Sequence, residues 1–144
     1  MKVEIRHQAI APWAEVALHE QTLAGERVSY GACAVFAGTM RDFNEGTSVR
    51  AMTIEHYPGM TEKHLERIGR EAKAHWPIVD GLIIHRVGEV QPGDPIVVIA
   101  VWSAHRSAAF EACRFLIEDL KSRAPFWKKE TLAEGDRWVD INTG

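Results

Sequence analysis

The sequence predicts an α+β domain with a mostly antiparallel sheet and helices inserted between its strands. Three observations carry that prediction. Strand-like runs outnumber helical ones, and several adjacent runs are joined by links too short for a parallel crossover. In addition, neither a GxGxxG nor a GxxxxGK[ST] pattern follows any strand, which argues against a doubly wound nucleotide fold.

Taken in order, Val3 to Arg6 reads as a short opening strand. Pro12 to about Leu23 is helical, with Trp13, Val16 and Ala17 turning through one face before Gly25 punctuates the chain. Tyr30 to Gly38, YGACAVFAG, is a run of small apolar residues of the kind found in a strand buried on both faces. A polar loop, Thr39 to Ser48, follows it. Val49 to Tyr57 alternates, with Met52, Ile54 and His56 on one face and Thr53, Glu55 and Tyr57 on the other.

After Pro58-Gly59 a helix is expected, with Thr61 as N-cap and Met60 stapled onto Leu65. Leu65, Ile68, Ala72 and Trp76 line one face until Pro77 stops it. Gly81 to Val87 and Ile96 to Trp102 are two strands, and the turn-rich GEVQPGDP between them suits antiparallel neighbours. Ala109, Ala112, Cys113, Leu116, Ile117 and Leu120 make the stripe of a second long helix, ended at Ala124-Pro125. Phe126 to Leu132 and Arg137 to Ile141 read as two short strands around a Glu-Gly-Asp turn.

The 144 residues suit a single domain, 1–144, with enough chain to bury a core without disulfides or a structural metal. A net charge of -3 argues against a general nucleic-acid binder but leaves room for a local cationic pocket. The N-terminus lacks a signal-peptide core, and no stretch approaches the roughly 20 apolar residues that span a bilayer. A cytoplasmic protein is therefore expected. Cys33 and Cys113 have no CxxC or zinc-type spacing and are expected to be small core residues. No carboxylate couple, metal-binding arrangement or cofactor motif stands out.

Cations gather at three places where an element ends. One is Thr39-Met40-Arg41, at the exit of the small-residue strand. A second is His105-Arg106, where a buried strand passes into a helix and free backbone N–H groups favour an anion such as phosphate. The third is Lys121 through Glu130, with Lys121, Arg123, Lys128 and Lys129 around a Pro-Phe-Trp kink. Each has a structural counterpart: a solvated loop arginine, a helix cap, cations that favour a helix C-terminus, or lysines guarding an edge strand. His56 reads as a core or interface histidine, His85-Arg86 as structural, and Asp42 and Glu45 as loop acids without an evident partner.

His105 and Lys121 stand at opposite ends of one predicted helix, sixteen residues apart. At 1.5 Å per residue that is roughly 24 Å. If both serve one small ligand, the His105-Arg106 pair must come from a second copy, which predicts a homodimer with composite sites.

The segments GACAVFAGTMRD, EHYPGMTEK, HRVGEVQPGD, SAHRSAAFEAC and LKSRAPFWKKE, followed by GDRWV, closely resemble the large, catalytic subunits of the molybdopterin synthase family, from about Tyr30 to Val139. The resemblance implies an α/β hammerhead-type fold and a dimer of large subunits. Each would bind a small ubiquitin-like sulfur-carrier subunit to give a heterotetramer. The carrier's thiocarboxylated C-terminal Gly-Gly would deliver sulfur, twice, to cyclic pyranopterin monophosphate (precursor Z). This sulfurtransferase reaction forms the dithiolene of molybdopterin. Position by position, Lys121 and Lys128 match the family's catalytic lysines. Thr39, Met40, Arg41, His105, Arg106, Lys129 and Glu130 match its substrate-binding segments, together with the two lysines themselves. The alternative is a non-catalytic module that binds a phosphorylated metabolite in the same pocket.

Overall fold

Alternation of strand and helix runs through the chain, set by switches in apolar period and by Gly and Pro at the joints. The computed structural model describes residues 1–25, 27–44 and 46–139. Its elements are β1 (Lys2–Arg6), α1 (Pro12–Thr22), β2 (Ala32–Thr39), β3 (Phe43–Asn44), β4 (Thr47–Ser48), β5 (Ala51–His56) and α2 (Met60–His75). They continue with β6 (Ile78–Arg86), β7 (Gly88–Val90), β8 (Pro95–Ser103), α3 (Arg106–Arg123), β9 (Phe126–Leu132) and β10 (Gly135–Trp138). This is the α+β architecture expected, and β1–β6 is the one parallel pair among the described strands.

Two four-stranded sheets organise the molecule. The first has the order β1-β6-β8-β2 and the second β10-β9-β5-β7. β6 and β8 are the most apolar strands and occupy the centre of the first sheet, buried on both faces. One face, with Ile83, Ile99 and Val101, packs against α2 and α3 and against Met52, Ile54 and Val90 of the second sheet. The other face, with Leu82, Ile84, Val98 and Trp102, lies beneath α1. Leu65, Ile68 and Leu116 are wholly buried, and each contributes about 1.5–3 kcal/mol by leaving water.

The link between β6 and β8 is more than a turn. Gly88, at φ 90°, redirects the chain so that β7 leaves the first sheet and pairs with β5 in the second. β6 and β8 are antiparallel, as the short link predicts.

Several expectations are corrected. α2 begins at Met60 with Gly59 as its N-cap, because Gly59 takes a φ of 86° that a side-chain-bearing residue resists. Thr61 therefore lies inside the helix. Its buried Oγ1 accepts from the Tyr57 N–H at 2.9 Å and donates to the Pro125 carbonyl at 3.0 Å. Met60, now in the first turn, is 58% exposed and cannot staple onto Leu65.

β2 is an edge strand rather than one buried on both faces. Cys33 is exposed there, and only Cys113 is a core residue. The polar loop holds a small hairpin, β3–β4. β6 starts at Ile78, before the expected Gly81, and β10 starts at Gly135, before Arg137. Glu45, Ile141 and the terminal Asn142-Thr143-Gly144 lie outside the described residues.

Candidate active site

The α3–β9 corner is formed by a stop signal. Pro125 disfavours helical backbone at Ala124, whose ψ of 138° ends α3 and turns the chain into β9. Lys121 therefore sits in the last turn of the helix and Lys128 two residues into the strand. The corner is pinned by the Thr61 hydroxyl and by Asp119. Asp119 is buried, accepts from His64 Nε2 at 2.8 Å and pairs with Arg123, locking α3 to α2 just ahead of Lys121.

Strand register decides which side chains face the site. Phe126, Lys128 and Glu130 stand opposite His56, Ile54 and Met52 of β5, on the inward face. Lys129 points the other way, with its ammonium 3.9 Å from Asp136 and 5.6 Å from the centre of the Trp138 ring. Below Phe126 lies His85 of β6, 2% exposed, its ring stacked on the Phe126 ring at 3.9 Å.

Arg41 comes from the loop after β2. Met40, just before it, is buried, and its backbone bonds Asp94 and Gly93 of the turn before β8. Met40 thus anchors the loop, while Arg41 emerges with its guanidinium 5.3 Å from the Phe43 ring centre.

These groups share one electrostatic environment. Burial lowers the Lys121 pKa, and the positive charge of Arg41 lowers it further. Burial also lowers Lys128, to about 7; the Lys121 charge assists and Glu130 opposes. His85 is brought down to about 3, chiefly by burial, with Lys128, Lys121 and His56 adding repulsion. It is neutral at physiological pH, its Nδ1 donating to the Arg86 carbonyl at 2.7 Å. The result is a cationic cluster at the α3–β9 corner, with one lysine lowered toward neutral pH.

A family model described as MoaE protein matches residues 11–123. The chain belongs to the MoaE family. It is 50% identical over 141 residues to a Pseudomonas aeruginosa protein named molybdopterin synthase catalytic subunit, covering 97% of this chain and 91% of that one. An Escherichia coli protein of the same name is 56% identical over 115 residues, covering 80% of this chain and 77% of that one. Among solved structures, the molybdopterin synthase of Staphylococcus aureus matches with a TM-score of 0.83, at 34% identity over 94% of this chain and 95% of that one.

Of the residues that the MoaE resemblance singles out, Arg41, Lys121 and Lys128 stand near enough for Arg41 to act on Lys121 and Lys121 on Lys128. Glu130 flanks Lys128 from the same face of β9. Thr39 is exposed at the end of β2, and Lys129 lies on the opposite face of its strand. His105 and Arg106 are exposed at the far end of α3, where His105 is the N-cap and its carbonyl accepts from the Ser103 hydroxyl.

Three further residues of this MoaE-family chain adjoin the cluster. His85 reads as structural beside Arg86, yet a polar side chain after the apolar run GLII is the signal that marks it as buried. Asn44 and Arg137 join Glu130 through side chains from two other segments, and no local pattern announces that. Among the described residues no group of His, Cys, Asp and Glu could hold a metal ion, and no helix is long and apolar enough to cross a membrane.

Proposed function

We infer that the chain is the catalytic subunit of a molybdopterin synthase, acting with a small ubiquitin-like carrier that brings sulfur as a C-terminal thiocarboxylate. The family assignment and the names of the relatives support the enzyme class. The observation that carries the chemistry is the clustering of Arg41, Lys121 and Lys128 around the α3–β9 corner, with burial lowering both lysines. The acceptor is cyclic pyranopterin monophosphate, to which two sulfurs are added in succession.

Each group has a physical task. Arg41 neutralises the substrate phosphate, joined by His105 and Arg106 of a second copy, whose helix N-terminus favours the same anion. Lys121 stabilises the negative charge of the thiocarboxylate whose sulfur attacks the substrate. It then stabilises the tetrahedral intermediate formed when water adds to the resulting thioester; that intermediate collapses to the carrier carboxylate and leaves the sulfur on the substrate. Lys128, with a pKa of about 7, gives up and takes back a proton as the substrate ring opens. Thr39, Lys129 and Glu130 complete the substrate-binding segments. Sulfur arrives already activated, so neither cysteine acts as a nucleophile. The working assembly is a cytoplasmic heterotetramer, a dimer of this chain with one carrier on each copy.

Reconstitution tests the proposal. The chain is mixed with the pyranopterin substrate and a thiocarboxylated carrier, and molybdopterin is read as its fluorescent oxidised derivative. Product that disappears with Lys121→Ala is the expected result. A folded chain that binds the carrier and makes no product would leave a binding module for a phosphorylated metabolite.

A further inference from the structure

The inward face of β9 carries a second polar centre two residues beyond Lys128. Glu130 is 5% exposed, and its Oε1 accepts from Arg137 Nε at 2.9 Å and from Asn44 Nδ2 at 3.3 Å. Arg137 stands directly opposite Glu130 in the β9–β10 pairing. Its Nη2 donates to the Asn44 carbonyl at 2.9 Å. One guanidinium therefore joins three segments: β10, the buried carboxylate of β9 and the β3–β4 hairpin.

Both ends of this tie lead to the cationic cluster. Phe43 lies beside Asn44 in the hairpin, and the Arg41 guanidinium rests over the Phe43 ring. Glu130 is the acid whose charge favours the protonated form of Lys128. We propose that Arg137 is a positioning residue for the reaction, fixing the hairpin that supports Arg41 and restraining the Glu130 carboxylate beside Lys128. The inference rests on the catalytic reading of Lys128 given above.

The electrostatic consequence has a definite sign. The charged or titratable groups around Lys128 are Lys121 from α3, Glu130 on β9, His85 from β6, His56 from β5 and Arg41, which acts through Lys121. Removing the Arg137 charge leaves Glu130 less compensated, so the field at Lys128 becomes more negative and its proton is held more tightly. The geometric consequence is separate: without the bond to Asn44 the hairpin loosens and Arg41 binds the anionic substrate less well.

The test uses the reconstituted enzyme with loaded carrier, measuring pH–rate profiles and KM for the pyranopterin. In Arg137→Gln the inflection set by Lys128 should rise by about one pH unit, with KM raised about tenfold. Arg137→Lys keeps a charge for Glu130 but cannot serve both acceptors. It should restore the inflection and leave KM high. Glu130→Gln should lower the inflection, and the double variant Arg137→Gln/Glu130→Gln should share that lowered inflection, because Arg137 acts on Lys128 through Glu130. Thermal melts accompany each variant; if Arg137→Gln does not fold, Arg137→Lys and Glu130→Gln still test the two halves separately. An unmoved inflection and KM in a folded Arg137→Gln, or fully additive shifts in the double variant, would overturn the inference. Absence of turnover in the unaltered enzyme would instead overturn the functional reading beneath it.

Discussion

His105 and Lys121 occupy opposite ends of α3: His105 caps the first turn and Lys121 lies in the last, roughly 24 Å away along the axis. The helix is continuous, so no local rearrangement brings them together. A site that uses both must draw them from two copies. Complementation follows. Arg106→Ala and Lys121→Ala, each inactive as a homodimer, should regain activity when co-refolded. Random pairing makes half the dimers mixed, each with one intact site, so recovery should approach about one quarter of the unaltered rate. No recovery from demonstrably mixed dimers would place each site within a single chain.

Replacing Lys128 should raise stability while removing activity. Its folded-state pKa of about 7 lies below the ordinary lysine value of 10.5, so protonation favours the unfolded chain. That penalty is complete below about pH 7 and fades as pH rises toward 10.5. Lys128→Met should therefore melt a few degrees higher at pH 6, equivalent to roughly 1 kcal/mol, with the advantage shrinking by pH 9. Turnover should fall by about 10²–10⁴-fold. Scanning calorimetry across pH and the fluorescence assay check the two halves.

His85 predicts acid sensitivity. Its folded pKa of about 3 lies below the ordinary 6.5, so between these values the unfolded chain binds a proton that the folded chain refuses. Stability is full above about pH 6.5 and is lost as pH falls toward 3, at up to about 1.4 kcal/mol per pH unit. His85→Phe keeps an aromatic ring against Phe126 and should flatten this slope between pH 6 and 4 in urea melts. An unchanged slope would assign the acid sensitivity to other groups.

Thr61 is worth more than its place in a first helical turn suggests. Thr61→Val keeps the shape but leaves the Tyr57 N–H and the Pro125 carbonyl without their partner. The expected cost is about 2–4 kcal/mol, and Thr61→Ser should recover most of it. Because Pro125 sets the α3–β9 corner, Thr61→Val should also reduce turnover at temperatures where the chain is fully folded.

The cysteines should be dispensable. Although Cys33 is exposed at the sheet edge, partial desolvation of its thiol, aided by the Glu20 charge, raises it to about 11, and burial raises Cys113 to about 11 as well. Neither is a thiolate at neutral pH. Cys33→Ala and Cys113→Ala should retain sulfur transfer in the reconstituted assay; its loss in either, with the fold intact, would point to a persulfide route.

Much of this was legible in the sequence because apolar periodicity is a local property. Val49 to Tyr57 shows its two faces directly, and the stripe from Ala109 to Leu120 faces the core as read. The approach of Lys121 to Lys128 was equally legible, since the Pro125 kink folds both onto one corner. What local pattern does not carry depends on pairing between distant segments. YGACAVFAG looks doubly buried because its residues are small and apolar, yet it forms a sheet edge. Thr61 resembles a cap until the φ of Gly59 shifts the helix start. The meeting of Asn44, Glu130 and Arg137 depends on how a hairpin packs against a sheet, which no spacing encodes.

The pairing of β9 with β5 has one more consequence. Lys128 and Lys129 are adjacent in sequence but look out on different worlds, one toward the inner face of β9 and the other toward Asp136 and Trp138. One inserted residue between Trp127 and Lys128 would turn Lys128 outward and bring Lys129 inward, and would carry Glu130, still opposite Arg137, to the outer face. Two added residues would return Lys128 to the inner face, though displaced along the strand. The strand thus tolerates change in even steps and resists it in odd ones, so its reading frame is spatial, written in the alternation of its faces.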